Sequence, residues 1–294
     1  MTHVLDGDEV ARSIRDGLRD SLAVLERAGV TPGLATVLMS DDPADETYVS
    51  MKHRACTELG IESVDHRIDP EASVSRAVDT VESLNVDPDV HGIFVQLPLP
   101  ERVEAPLRHT VDPHKDVDCF HPVNVGRLVG GDPRFEPATP LAILRLLEFA
   151  GVELDGADVV LVGRSPFVGK PLANMLLRRG PGGNATVTVC HSNTRDLRSK
   201  TRRGDVVIVG AGQPELVDGD MITEGAVVID AGGNRVETED GYEVVGDVEI
   251  ESVREKASVV TPVPGGVGPM TIAMLLVNTI RAASCQENVL VALP

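Results

Sequence analysis

Tyr48 and Lys52 stand four positions apart in ETYVSMKHRA, residues 46–55. On a helix that spacing brings two side chains together on one face. A phenol beside an amine suits proton-transfer chemistry, because a lysine drawn out of water favours its ammonium form less and can carry a proton near neutral pH. The composition makes the pair conspicuous. The chain has 46 Asp+Glu against 27 Lys+Arg; its only lysines are Lys52, Lys115, Lys170, Lys200 and Lys256, and its only tyrosines Tyr48 and Tyr242. A solvated lysine is the simpler reading on composition alone. Against it, the usual cation here is arginine, and lysine is the cation whose pKa moves on burial.

A second candidate is GRSPFVGKP, residues 163–171. It resembles a Walker A loop with one residue too many between Gly163 and Gly169, and Pro171 stands where a Mg²⁺-binding hydroxyl is needed, so the P-loop reading is rejected. The turn follows an apolar strand and opens a helix, where backbone N–H groups can hold a pyrophosphate or simply close a tight turn. The following strand ends Cys190-His191-Ser192-Asn193, without the acid that bonds a ribose 2′-hydroxyl in NAD sites. A cation at Arg164 and a hydroxyl at Ser192 favour a 2′-phosphate, hence NADP. The alternative is that Arg164 pairs with a nearby acid.

HKDVDCFH, residues 114–121, gathers His114, Asp116, Asp118, Cys119 and His121. Zinc needs ligands converging from a second element, and none is evident, so a carboxylate that binds a polar ligand is the better reading and solvated charge the plainer one. PGGVGP, residues 264–269, either admits a ligand close to the backbone or makes a sharp turn. Cys56, Cys119, Cys190 and Cys285 are too dispersed for a redox pair or zinc knuckle and read as free thiols of a reducing cytoplasm.

Elements must position these groups. An apolar stripe through Val10, Ile14, Leu18 and Leu22 predicts a first helix over residues 8–28; a strand through Val37, a helix over DDPADETYVSMKHRACTELG, a strand ESVDHRI, a helix EASVSRAVDTVESLN and a strand VHGIFVQLPLP follow. Residues 111–137 read as loop, and a helix starts at Thr139, capped by that threonine with Pro140 behind it. A second alternating series (ADVVLVG, KPLANMLLRRG, ATVTVCHS, GDVVIVGAG, GAVVIDAGG, ASVVTPV) precedes an apolar terminal helix, GPMTIAMLLVNTIRAAS. Alternating strands and helices predict an α/β protein with mostly parallel sheets, and 294 residues suffice for two domains. A net charge of −19 without a basic cluster argues against nucleic acid. No apolar run has bilayer-crossing length and no secretory signal is visible, so no membrane partner is expected. Acidic excess with scarce lysine fits a salt-accumulating cytoplasm, where ions screen self-repulsion.

Taken together, TYVSMKHRACTELGI, VQLPLP, KDVDCFHPVNVGRL, VGRSPFVGKP, TVCHS and TPVPGGVGPMTIAMLL resemble, in order and over nearly the whole chain, the bifunctional methylenetetrahydrofolate dehydrogenase/methenyltetrahydrofolate cyclohydrolase family. The resemblance implies two α/β domains with the active site in the cleft between them. Residues 1–121 would form a folate-binding catalytic domain, with the helix from 269–294 packing back on it, and 122–268 a Rossmann-like NADP-binding domain. It implies NADP-dependent oxidation of 5,10-methylenetetrahydrofolate to the methenyl form and hydrolysis of the latter to 10-formyltetrahydrofolate. Lys52 would be the proton-transfer group, Tyr48 would orient it and stack near the pterin, Gln96 would hydrogen-bond it, and Asp118 would anchor the pterin. Val95, Leu97, Pro264, Gly265, Gly266, Val267 and Gly268 would border the substrate. Gly163, Arg164, Ser165, His191, Ser192 and Gly233 would hold NADP. A cytoplasmic homodimer without a metal is implied.

Four residues depart from the family pattern. Cys119 replaces a glycine, Asn193 a Lys or Arg, Gly233 an isoleucine and Glu249 an aspartate. The alternatives are a dehydrogenase lacking the cyclohydrolase, another NADP-dependent Rossmann oxidoreductase, and a non-catalytic dinucleotide-binding regulator. The last predicts NADP binding without turnover.

Overall fold

A computed structural model describes residues 2–238 and 241–294, with Ala44 described by its backbone alone. Contacts divide it into two compact units, one of residues up to Ala11 with Thr139–Thr271, the other of Arg12–Ala138 with Ile272–Pro294.

The Arg12–Ala138 unit has a three-stranded parallel sheet of β2 (Gly33–Leu38), β3 (Glu62–Arg67) and β4 (Gly92–Val95), in the order β3-β2-β4. Every residue of β2 is buried, as expected for the middle strand of a parallel sheet covered on both faces. Helices α1 (Gly7–Arg27), α2 (Pro43–Leu59) and α3 (Val74–Val86) alternate with the strands. Beyond β4 come α4 (Glu101–Thr110) and α5 (Pro122–Gly130).

Helix α5 corrects the expectation of a loop over residues 111–137, and α4 fills a stretch that the sequence pattern left unassigned. In α4, Val103 and Leu107 are fully buried one turn apart, and the helix runs through Pro106. In α5, the His121 side chain caps the Val123 amide, Pro122 occupies the first turn and Gly131 closes the helix in the left-handed region at φ 83°. Those start and stop signals are visible in the sequence, but glycines 126, 130 and 131 dilute the apolar period between them.

The other unit carries a six-stranded parallel sheet, ordered β1-β11-β8-β7-β5-β6. Its strands are β1 (His3–Val4), β5 (Asp158–Val162), β6 (Thr186–Cys190), β7 (Val206–Val209), β8 (Val227–Asp230) and β11 (Val259–Val260). Helices α6 (Ala138–Phe149), α7 (Gly169–Leu177), α8 (Leu197–Thr201) and α9 (Ile250–Arg254) accompany them, with an antiparallel hairpin of β9 (Asn234–Thr238) and β10 (Gly241–Val245). Contacts thus divide the chain at 138/139 where the sequence suggested 121/122. The first residues join the six-stranded unit because β1 pairs with β11, His3 opposite Val259.

Helix α10 (Val267–Gln286) is long and apolar enough to span a bilayer by length and composition, which corrects the expectation that no such run exists. Its apolar surface is used in packing: Met270, Ala273, Leu276 and Ile280 are fully buried.

Candidate active site

Helix α2 settles the character of its lysine. The buried stripe of this helix runs Val49, Lys52, Cys56 and Leu59, so Lys52 occupies a core-facing position and is only 4% exposed. Tyr48 lies beside the stripe and is 45% exposed. The two share a helical neighbourhood but not an environment.

Two residues of the β4 segment meet the buried amine. Lys52 Nζ donates a 2.5 Å hydrogen bond to Gln96 Oε1 and lies 4.1 Å from the centroid of the Phe94 ring. Strand alternation explains this, since positions 94 and 96 share a face. The Gln96 amide is oriented by its other end, which donates to the Leu97 carbonyl at 2.7 Å and to Asp45 at 3.5 Å; Ser40 in turn holds Asp45 at 2.6 Å. Tyr48 makes no hydrogen bond among the described residues, so the contacts that orient the lysine come from Gln96 and Phe94. Phe94 and Asp45 were missed from sequence, although both follow from period: Phe94 by two on a strand, Asp45 by seven on a helix.

Asp118 reaches this cluster through backbone pairing. Ile93 bridges Asp116 in parallel and donates to the Lys115 carbonyl at 2.6 Å, which lays residues 115–118 along the free side of β4. Asp118 is half-buried, and its Oδ1 accepts a 2.7 Å bond from the Ala138 amide. That bond caps α6 from outside the helix, a correction to the expected Thr139 cap; Thr139 lies within α6. Val95 is buried behind the cluster, and Leu97 is half-buried at its rim.

Burial dominates the electrostatics. Desolvation lowers the Lys52 amine to about 8, against the pull of Asp118, Asp45 and Asp65 toward the ammonium form. Desolvation also raises the Asp118 carboxyl to about 7, opposed by the Ala138 amide and by Lys52, while Asp116 pushes it further up. Burial thus brings a lysine and a carboxylic acid that feel each other's charge toward neutral pH, an arrangement suited to proton traffic.

The rest of the 114–121 cluster is structural. Asp116 accepts from the Phe120 and His121 amides and from Asn124, and Lys115 caps α3 by donating to the Leu84 and Asp87 carbonyls. Cys119 adopts φ 57°, the left-handed conformation that a glycine adopts without strain. Among the described residues no three His, Cys, Asp or Glu side chains converge as metal ligands.

In the six-stranded unit the chain leaves β5 for β6 on one side and returns to β7 on the other, so the strand order reverses at β5. Ligands bind such switch points at the carboxyl ends of the strands. Gly163 follows β5 at φ 135°, and a Cβ there would stand 2.1 Å from the carbonyl oxygen of Gly210, which follows β7. A small hollow lies here, lined by Gly163, Val168, Gly169, Gly210 and Ala231. The Ser165 hydroxyl accepts from the Val168 and Gly169 amides at 3.0 and 3.3 Å and shapes the start of α7.

Arg164 is exposed and has no ion pair among the described residues. His191 forms a turn with Asn193 and Thr194, leaving Ser192 exposed with no hydrogen-bond partner among the described residues. Gly233 has open space at its missing Cβ. Glu249 caps α9 through the Glu251 and Ser252 amides, so it holds this turn with its longer side chain. The Pro264-Gly268 turn leads into α10: Pro264 is exposed, Gly265 has φ 96°, a Cβ on Gly266 would meet the Pro262 carbonyl oxygen at 2.4 Å, Val267 is buried and Gly268 half-buried. Gly7 packs against it, donating to the Gly265 carbonyl at 2.8 Å.

Sequence reading passed over a buried acid pair that pins these turns. Asp247 accepts from the Ala211, Gly212 and Gln213 amides and from Asn234; Asp230 accepts from the Gly232, Asp247 and Val248 amides. Asp247 thus holds the turn after β7, and Asp230 ties the turn after β8 to residues 247–248.

Comparison with known proteins adds to this geometry. The family model for the catalytic domain of tetrahydrofolate dehydrogenase/cyclohydrolase matches residues 5–118, and that for its NAD(P)-binding domain matches residues 137–287. The bifunctional protein FolD of Natronomonas pharaonis is 59% identical over the full length of both chains. Among solved structures, the bifunctional FolD enzyme of Campylobacter jejuni matches with TM-score 0.91 at 42% identity, covering 97% of this chain and 100% of its own. The Trypanosoma brucei enzyme, solved with NADP and an inhibitor, matches with TM-score 0.92 at 38% identity, covering 97% and 98%.

Proposed function

This chain belongs to the tetrahydrofolate dehydrogenase/cyclohydrolase family, and on that premise we propose how its residues carry out the two reactions. It oxidises 5,10-methylenetetrahydrofolate with NADP⁺ to the 5,10-methenyl cation and hydrolyses that cation to 10-formyltetrahydrofolate. The observation that carries the residue assignment is the buried Lys52 amine fixed on Gln96.

In the hydrolysis, water adds to the methenyl carbon and gives its proton to neutral Lys52. The bond from that carbon to N5 then breaks, N5 takes the proton back from Lys52, and the hydroxyl proton leaves to solvent as the formyl carbonyl forms. One water is consumed and one proton released. An amine at about 8 can serve in both directions, and the cationic substrate lowers it further by like-charge repulsion. Gln96 keeps the amine in place between the two transfers. Asp118, with Oδ1 already bonded to Ala138, offers its remaining lone pairs to the paired N–H donors of the pterin. The half-exposed Tyr48 ring is available to stack on the pterin. Val95 and Leu97 border the same segment, and Pro264, Gly265, Gly266, Val267 and Gly268 are assigned to the substrate side of their turn.

The nicotinamide of NADP supplies the hydride-accepting chemistry. The switch-point turns fit a dinucleotide: Gly163 and Gly169 let backbone approach the phosphates, Ser165 shapes the loop, and Arg164 and Ser192 have no partner among the described residues that would compete for a 2′-phosphate. His191 and Gly233 flank the same turns. A homodimer is part of the proposal, supported by edge strand β3, where Val64 is 52% exposed.

The test is an absorbance assay in molar KCl, supplying methylenetetrahydrofolate with NADP⁺ and following NADPH and the methenyl species together. NADPH formation with methenyl decay faster than its uncatalysed hydrolysis is expected. NADPH without accelerated decay reduces the enzyme to a dehydrogenase. No NADPH from a folded sample overturns the reading.

A further inference from the structure

Burial of an amine usually makes it a poor cation, yet the surface over Lys52 is not uniformly apolar. The Phe94 ring lies 4.1 Å from Nζ, within cation–π range, and is itself 8% exposed. An aromatic face carries negative quadrupole density and favours the ammonium over the neutral amine, more strongly when water is excluded. Phe94 and Gln96 project from the same side of the β4 segment, so one short stretch supplies both the hydrogen-bond acceptor and the π face to one nitrogen. We propose that Phe94 is a positioning residue whose ring sets the proton affinity of Lys52 for the cyclohydrolase step, holding the amine where it can both take and return a proton. The inference rests on the assignment of Lys52 under Proposed function.

Other groups act on the same nitrogen and must be separated from the ring. Asp118 faces it from the segment beside β4, Asp45 from α2 and Asp65 from β3; all three favour the ammonium form, and desolvation opposes them. Phe94→Leu touches none of these carboxylates and keeps the wall apolar, so the π face is the main thing removed.

The sign of the outcome separates two effects. Loss of the ring face lowers the proton affinity of Lys52. Loosened packing that admits water raises it, because hydration favours the ammonium.

The experiment is an NMR titration of the full-length enzyme labelled with ¹³C at lysine Cε. Five lysines give five signals, and Lys52→Met identifies the one that matters. In Phe94→Leu the Lys52 midpoint should move down by about 0.4 to 1.5 pH units, and the matching limb of the methenyl-hydrolysis pH profile should move with it. Phe94→Met, also apolar and flexible enough to fill the space, should do the same and serves if the leucine variant does not fold. An unmoved or raised midpoint in the folded variant overturns the proposal. The titration needs no turnover, so a failure of wild-type methenyl hydrolysis would overturn the functional reading separately.

Discussion

Asp118 accepts a 2.7 Å hydrogen bond from the Ala138 backbone amide, so one carboxylate both caps α6 and acts on the charge of Lys52. The two duties separate by substitution. Asparagine can keep the bond to Ala138 but turns an N–H group toward the pterin donors. Asp118→Asn should therefore fold, with a Tm at pH 7 that does not fall because the ionisation penalty goes with the carboxylate, while its KM for methylenetetrahydrofolate rises about tenfold or more. Asp118→Ala, which loses the bond to Ala138 as well, should be about 1 kcal/mol less stable than Asp118→Asn.

Lys52→Met should lower methenyl hydrolysis by about 10²- to 10⁴-fold, the range of a general acid–base contribution. NADP⁺ binding, measured by fluorescence or calorimetry, should stay near the wild-type value. Unchanged hydrolysis would return Lys52 to being a buried structural cation.

The same substitution should stabilise the ligand-free protein, with a definite pH dependence. Folding lowers the Lys52 pKa from 10.5 to about 8, so the fold disfavours the ammonium. That penalty is fully present below about 8 and fades as pH rises toward 10.5. Asp118 works oppositely: its carboxyl is raised from 3.8 to about 7, so its penalty grows as pH rises through that interval and is complete above it. Lys52→Met should raise Tm at pH 7, with the gain shrinking above about 8. A lower Tm at pH 7 would show that its contacts to Gln96, Phe94 and Asp118 outweigh its desolvation.

Arg164→Ala should weaken NADP⁺ by roughly 10- to 100-fold in kcat/KM and leave NAD⁺ little changed, because a guanidinium with no ion pair among the described residues can turn to the 2′-phosphate. Equal losses with both cofactors would assign Arg164 to the shared pyrophosphate instead.

Cys119 stands at φ 57° with its side chain buried. Cys119→Gly removes the conformational strain and should fold normally. Cys119→Val forces a β-branched residue into the left-handed region and should lower stability by about 1–3 kcal/mol in chemical denaturation.

The alternating α/β pattern, the glycine turn after β5 and the separation of Tyr48 from Lys52 by one helical turn were legible in the sequence because each is a local property of backbone period or turn chemistry. The helices over 101–110 and 122–130 were not, since Pro106 and the glycines around Arg127 obscure the period that buried Val103, Leu107 and Leu128 restore by packing. Whether Lys52 was a surface cation or a buried amine depended on which side of α2 meets the sheet. So did the contacts of Gln96 and Phe94, which approach the lysine from more than forty residues away. The pairing of Ile93 with Asp116 decided where Asp118 would stand, and the pairing of β1 with β11 decided which unit holds the first residues. Residue type and spacing determine what chemistry a segment can perform; burial, and with it proton affinity, is decided only when distant segments exclude water from one another.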